Sequence, residues 1–165
     1  MGLDIYAVSR VARVTTPEST DDGINVWQDG FDRIDGLEVG IYQPTSKSEE
    51  HEFRAGSYSS YNWWRRNLSL MIYGQSAEKV WENKDAFEGR PFYELIDFSD
   101  CEGVFGPEVS EKLYNDFHSN RPNMIKYCLD NFINDDETYD DVMRTYDDFT
   151  KAFKLASNEG LVLFT

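Results

Sequence analysis

Apolar and polar residues alternate from the start of the chain. Leu3, Ile5 and Ala7 fall on one side of an extended backbone and Asp4, Tyr6 and Val8 on the other, which predicts a strand over residues 3–8. Val11 and Val14 continue the same reading. Residues 17–23, with Pro17, Asp21, Asp22 and Gly23, read as a polar turn. Gly30, Gly36 and Gly40 then punctuate short strands and turns, of which residues 38–43 are the clearest strand, and residues 44–52 read as a surface loop.

The period changes at Ser59. Tyr61, Trp64, Leu68 and Met71 recur at helical spacing, Ser59 or Ser60 can cap the start, and Gly74 supplies the stop. Short helical pieces follow over residues 77–81 and 91–98, the second opened by Pro91. Pro107 starts a helix whose Val109, Leu113 and Phe117 share one face, and a further helix over residues 122–132 carries Ile125, Cys128, Leu129 and Phe132. Val142, Tyr146, Phe149, Phe153 and Ala156 predict a last helix, expected to be the longest, which Gly160 ends before a closing strand over residues 161–164. Strands at both ends with helices between them predict an α+β fold: a small, mostly antiparallel sheet containing both terminal strands, packed with about four to six helices. No internal repeat or linker divides the 165 residues, so a single domain is expected.

Composition narrows the partners more than it does the fold. A hydrophobic fraction of 40% excludes a disordered chain, and 31 acidic against 16 basic side chains give a formal net charge of -15. That charge disfavours direct binding to nucleic acid or to an anionic membrane and favours a basic protein partner. The first twenty residues hold Asp4, Arg10, Arg13 and Glu18 and no apolar run with a cleavage site, and no stretch is long enough to span a bilayer. Gly2 lacks the following Ser or Thr of a myristoylation signal, since Tyr6 stands there. A cytoplasmic location is expected, with Cys101 and Cys128 reduced.

The charge is unevenly spread. From Phe53 to Ala77 there is no Asp or Glu, while Arg54, Arg65 and Arg66 fall there among Tyr58, Tyr61, Trp63, Trp64 and Tyr73. Free N–H groups at a helix start, neighbouring serine hydroxyls and arginines suit a phosphate or carboxylate, and aromatic rings can stack a planar group. The same aromatic spacing also suits a core. The candidate ligand-binding residues are Arg54, Ser57, Tyr58, Ser59, Tyr61, Asn62 and Arg65, joined by Ser99, Asp100 and Glu102 from a second constellation around Cys101. As a calcium loop beginning at Asp97, that constellation puts Glu102 where glycine is needed. With only His51 and His118 in the chain, no histidine is placed locally to activate Cys101.

No phosphate-binding P-loop, dinucleotide fingerprint, nucleophile elbow or zinc motif is present, so no cofactor or metal is expected. Residues 130–148 hold eight acids (Asp130, Asp135, Asp136, Glu137, Asp140, Asp141, Asp147, Asp148) against one base, Arg144. Such a run is a solvated helix face or, more sharply, a docking surface or an imitation of nucleic-acid phosphates.

Three phrases resemble a family of uncharacterised bacterial and phage proteins: Met1-Gly2-Leu3-Asp4-Ile5-Tyr6, Arg54-Ala55-Gly56-Ser57-Tyr58-Ser59-Ser60-Tyr61-Asn62, and Pro91-Phe92-Tyr93-Glu94-Leu95-Ile96-Asp97-Phe98-Ser99-Asp100-Cys101-Glu102-Gly103. The likeness extends to Gly106-Pro107 and Gly160. It implies a bacterial or phage cytoplasmic protein and no particular activity. The leading expectation is a non-catalytic protein holding a small anionic, nucleotide-like ligand, such as a phage sequestering protein. The alternatives are an acidic interaction or DNA-mimic inhibitor, and a small hydrolase or transferase using Asp100 or Glu102.

Overall fold

The computed structural model describes residues 2–15, 22–28 and 32–165. Most of the expected 17–23 turn and the Gly30 break lie outside these. The alternation at the start forms β1 (Gly2–Val8), which is flanked by β5 (Glu50–Ser57) and by β7 (Leu161–Phe164). With β6 (Gly103–Phe105) they make an antiparallel sheet in the order β5-β1-β7-β6, so the two terminal strands share one sheet as the pattern predicts. The segment after β1 does not prolong it: β2 (Val11–Arg13) leaves to pair with β4 (Gly40–Pro44), which also pairs with β3 (Ile24–Val26) in a second antiparallel sheet.

The pleat explains why both faces of the first sheet are covered. Leu3, Ile5, Ala7, Val162 and Phe164 point into the main core, while Val8, Leu161 and Val104 belong to a smaller cluster with Val26, Ile34 and Tyr42. Helices α1 (Tyr58–Tyr73), α5 (Pro107–Asn131) and α6 (Asp136–Ala156) contribute to the main core, beside the short α2 (Ala77–Glu82), α3 (Lys84–Phe87) and α4 (Tyr93–Ile96). The fold is α+β, with six helices among the described residues. No helix among the described residues is long and apolar enough to cross a membrane.

Further sequence expectations need correction. Residues 50–52 belong to β5 and not to a loop, and β5 continues to the start of α1. It escapes a hydrophobic reading because it is an edge strand whose Glu50, Glu52 and Arg54 are exposed, the charged guard that discourages edge-to-edge pairing. The two helices expected on either side of Pro122 are one, and at 25 residues α5 exceeds the 21 of α6. Proline removes one donor, yet Phe117, Met124 and Cys128 stay buried on one face across it, and Arg121 clamps the carboxylate of Asp147 on α6 through two 2.8 Å bonds beside it. The cap of α1 is Ser57, whose Oγ accepts from the N–H of Ser60 at 3.1 Å, rather than Ser59 or Ser60.

The junction that aims α1 depends on Gly56. Its φ of +109° carries the chain out of β5 in a conformation that disfavours side chains, and a Cβ there would lie 3.1 Å from Cβ of Ser60. The strand therefore ends and the helix begins within one residue, which places the first turn of α1 beside the edge of the sheet.

Candidate functional site

The first turn of α1 contains no acidic residue. It opens into a cleft of about 550 Å³ between the end of β5, α1 and α6. Ser57 Oγ lies 2.9 Å from Ser59 Oγ and 2.7 Å from Ser60 Oγ, so three hydroxyls cluster at this helix start. Arg54 lines the cleft from β5, and Thr138, Arg144 and Thr145 face it from α6. Trp63, 45% exposed, stands on its wall, while Trp64 beneath is buried and donates Nε1–H to the Val142 carbonyl at 3.2 Å.

Both arginines pair with acidic neighbours at the solvent-exposed surface. Arg54 Nη1 is 3.5 Å from Asp4 Oδ1 across the β1–β5 ladder, and Arg144 bonds Asp141 one turn back on α6. All four side chains are about half exposed or more, and such pairs stabilise by only about 0–1 kcal/mol, so either guanidinium can exchange its partner for a ligand anion at little cost.

Asp148, which also lines the cleft, accepts from His51 Nε2 at 3.0 Å. Burial, helped by Lys151 and opposed by Asp148, lowers the pKa of His51 below its usual 6.5. The folded state thus binds the His51 proton less readily than the unfolded chain. Its contribution to stability is present above pH 6.5 and is lost as pH falls through the folded value. His51→Gln should flatten the stability profile in that window in urea melts; an unchanged slope would mean that His51 is not perturbed.

The remaining candidates divide between this cleft and other places. Tyr61 is fully exposed to the core and not to solvent: its ring contacts Trp64, Phe149 and Phe164. Tyr58 is half-buried against the same core. Arg65 is 3% exposed, and its guanidinium donates to the Phe98 carbonyl and to Asn62 Oδ1 while lying over the rings of Tyr61 and Trp81. Asn62 in turn donates Nδ2–H to Asp100 Oδ2. Arg65, Asn62 and Asp100 are thereby joined, but as a brace between α1 and the loop following α4.

Ser99, Asp100 and Glu102 line a second cavity of about 740 Å³ with Asn25, Trp27 and Asp32. It shares no lining residue with the Arg54 cleft, so the residues singled out from sequence do not form one pocket. Ser99 Oγ accepts from the N–H groups of Cys101 and Glu102 at 3.3 and 3.2 Å, which shapes the loop. Asp97, the first position of the calcium reading, is instead held by Arg33 and Lys84 at 3.1 and 2.8 Å. His51 and His118 do not line the cavity of Cys101, and Cys101 and Cys128 are unbridged. Among the described residues no group of three or more His, Cys, Asp or Glu side chains is placed to hold a metal ion.

The acidic stretch is largely engaged within the fold. Asp147 is clamped by Arg121, Asp148 bonds His51, Asp141 bonds Arg144, Asp130 bonds Lys126, and Asp135 caps α6 by accepting from Thr138 N–H at 3.0 Å. The sequence reading passed over Arg144 as a ligand group. Its signal was its isolation: it is the one base in that run, and α6 turns it toward the acid-free start of α1. Comparison with protein-family models, curated proteins and solved structures returns no match.

Proposed function

We infer that this protein binds a small anionic ligand carrying a planar group, without transforming it, in the cleft between the start of α1 and α6. The supporting observation is the convergence of an acid-free helix start, its serine hydroxyls, Arg54, Arg144 and a half-exposed indole on one cleft. The N-terminal dipole and first-turn N–H groups of a 16-residue helix favour an anion, the two guanidiniums offer charge-assisted bonds, and Trp63 offers a stacking face. Asp141 and Asp148 oppose this locally, and selectivity for a compact anion with its own hydroxyl or amine donors follows from their presence. No general acid or base is required by this arrangement.

A thermal-shift panel of nucleotides, sugar phosphates and aromatic carboxylates should contain a compound that raises the melting temperature, because it binds the folded state only. Arg54→Ala and Arg144→Ala should each weaken that compound about ten- to a hundredfold, the loss of one charge-assisted bond. Mass spectrometry should recover it unchanged. A chemically altered ligand would make the protein an enzyme, and a shift indifferent to both substitutions would move the site elsewhere.

A further inference from the structure

The hairpin joining α5 to α6 ends in apolar side chains that the fold does not cover. Leu129 is 60% and Ile133 70% exposed, beside a depression of about 500 Å³ to which Phe132 and Tyr139 also contribute. The Trp63 ring, 5.7 Å from Phe132, extends the same surface. Single exposed apolar residues are ordinary, but a contiguous group around a depression is a feature of interaction sites. Carboxylates border it: Asp136 and Asp140 line the depression, and Asp130, Asp135 and Glu137 are exposed next to it in the chain.

Part of this charge serves the helices. Asp135 caps α6, Asp136 and Glu137 stand in its first turn, and Asp130 pairs with Lys126. Asp140 lies beyond the first turn, where the helix dipole gives it no role, and among the described residues it forms no ion pair. Neither the core nor the turn requires Leu129 and Ile133 to be apolar.

We propose that this tip docks a basic amphipathic helix of a partner protein. Its apolar side, with anchors spaced three and four residues apart, fills the depression between Leu129, Ile133 and Tyr139, while its lysines or arginines meet Asp136 and Asp140. The charge selects this occupant over the others. A second copy placed symmetrically on the tip would bring its own Asp136 and Asp140 against this rim, and anionic headgroups would meet the same repulsion. The depression shares no lining residue with the anion cleft, and Trp63 lies between the two, so occupancy of one does not presuppose the other.

The probe is a synthetic helical peptide of leucine and lysine with leucines on one side, titrated against the full chain by fluorescence anisotropy. A peptide in which glutamine replaces leucine carries the same charge and serves as the control. The leucine peptide should bind saturably, more weakly as salt rises, and protect amides within residues 129–140 from hydrogen exchange. The glutamine peptide should bind at least about tenfold more weakly, as should the leucine peptide to Leu129→Glu/Ile133→Glu, since the buried apolar area is lost in each case. Asp136→Asn/Asp140→Asn should weaken binding several-fold and flatten its salt dependence. These positions are exposed, so circular dichroism should show every variant folded. Equal binding of both peptides, indifference to Leu129→Glu/Ile133→Glu, or protection away from the hairpin would overturn the proposal. So would concentration-dependent self-association in sedimentation that Leu129→Glu/Ile133→Glu abolishes, because the occupant would then be a second copy.

Discussion

Replacing Phe117 with alanine should lower the free energy of unfolding by about 3–5 kcal/mol, the range for deleting a fully buried aromatic ring. Phe117 is completely buried on α5, where the three principal helices meet. Its ring centroid lies 4.7 Å from that of Tyr146, 4.9 Å from Phe92, 5.9 Å from Phe153, 6.2 Å from Phe149 and 6.4 Å from Trp64. These neighbours come from α1, α6 and the start of α4, so no single element can collapse into the space without pulling on the others. The Tyr146 hydroxyl bonds the Phe117 carbonyl at 2.6 Å, and that backbone contact survives the substitution, leaving the cavity as the main cause of the loss. Leu129→Ala on the same helix is the control, expected within about 0.5 kcal/mol because its side chain is exposed. Urea titration checks both. A loss below about 1.5 kcal/mol at Phe117 would mean that the helices repack freely around the vacancy, contrary to a close-packed aromatic core.

Arg65→Ala carries the second large effect, about 3 kcal/mol, because it removes a buried charged donor and strands its acceptors. The guanidinium spans the Phe98 carbonyl and Asn62 Oδ1 and lies 5.3 and 5.0 Å from the ring centroids of Tyr61 and Trp81. Asn62 then loses the bond that orients it toward Asp100, so residues 98–103 should exchange their amide hydrogens faster. Lysine should not restore stability: a single ammonium cannot reproduce a planar fork that bonds two acceptors while stacking on two rings. If Arg65→Ala stays within about 1 kcal/mol of the parent in urea, Arg65 is not a brace and returns as a candidate ligand group.

Arg65 also shows where sequence reasoning stops. An arginine in an acid-free stretch and an acidic loop some 35 residues later are visible as separate facts, but helical phase decides which side chains turn inward. Arg65 follows Trp64 and Tyr61 into the core, whereas Trp63 and Arg66 turn out. β1 was legible because its alternation leaves one reading, β7 as a short apolar run after Gly160, and α6 because its apolar stripe runs unbroken from Val142 to Ala156. β5 was not, since an edge strand with charged outward positions has the composition of a loop. Proline at position 122 signalled a break that long-range burial on both sides overrides. Half of the anion cleft was readable in residues 54–60; Thr138, Arg144 and Thr145 were not, because only tertiary packing brings α6 against the start of α1.

The most direct test of the anion cleft is an amide-resolved NMR titration with the panel compound that gives the largest thermal shift. Binding should saturate, with the largest changes at the backbone amides of Tyr58, Ser59 and Ser60 and at the Trp63 indole, and should vanish in Arg54→Glu/Arg144→Glu while the rest of the spectrum stays folded. A panel with no binder, or changes centred on Ser99, Asp100 and Glu102 that survive the double substitution, would contradict it.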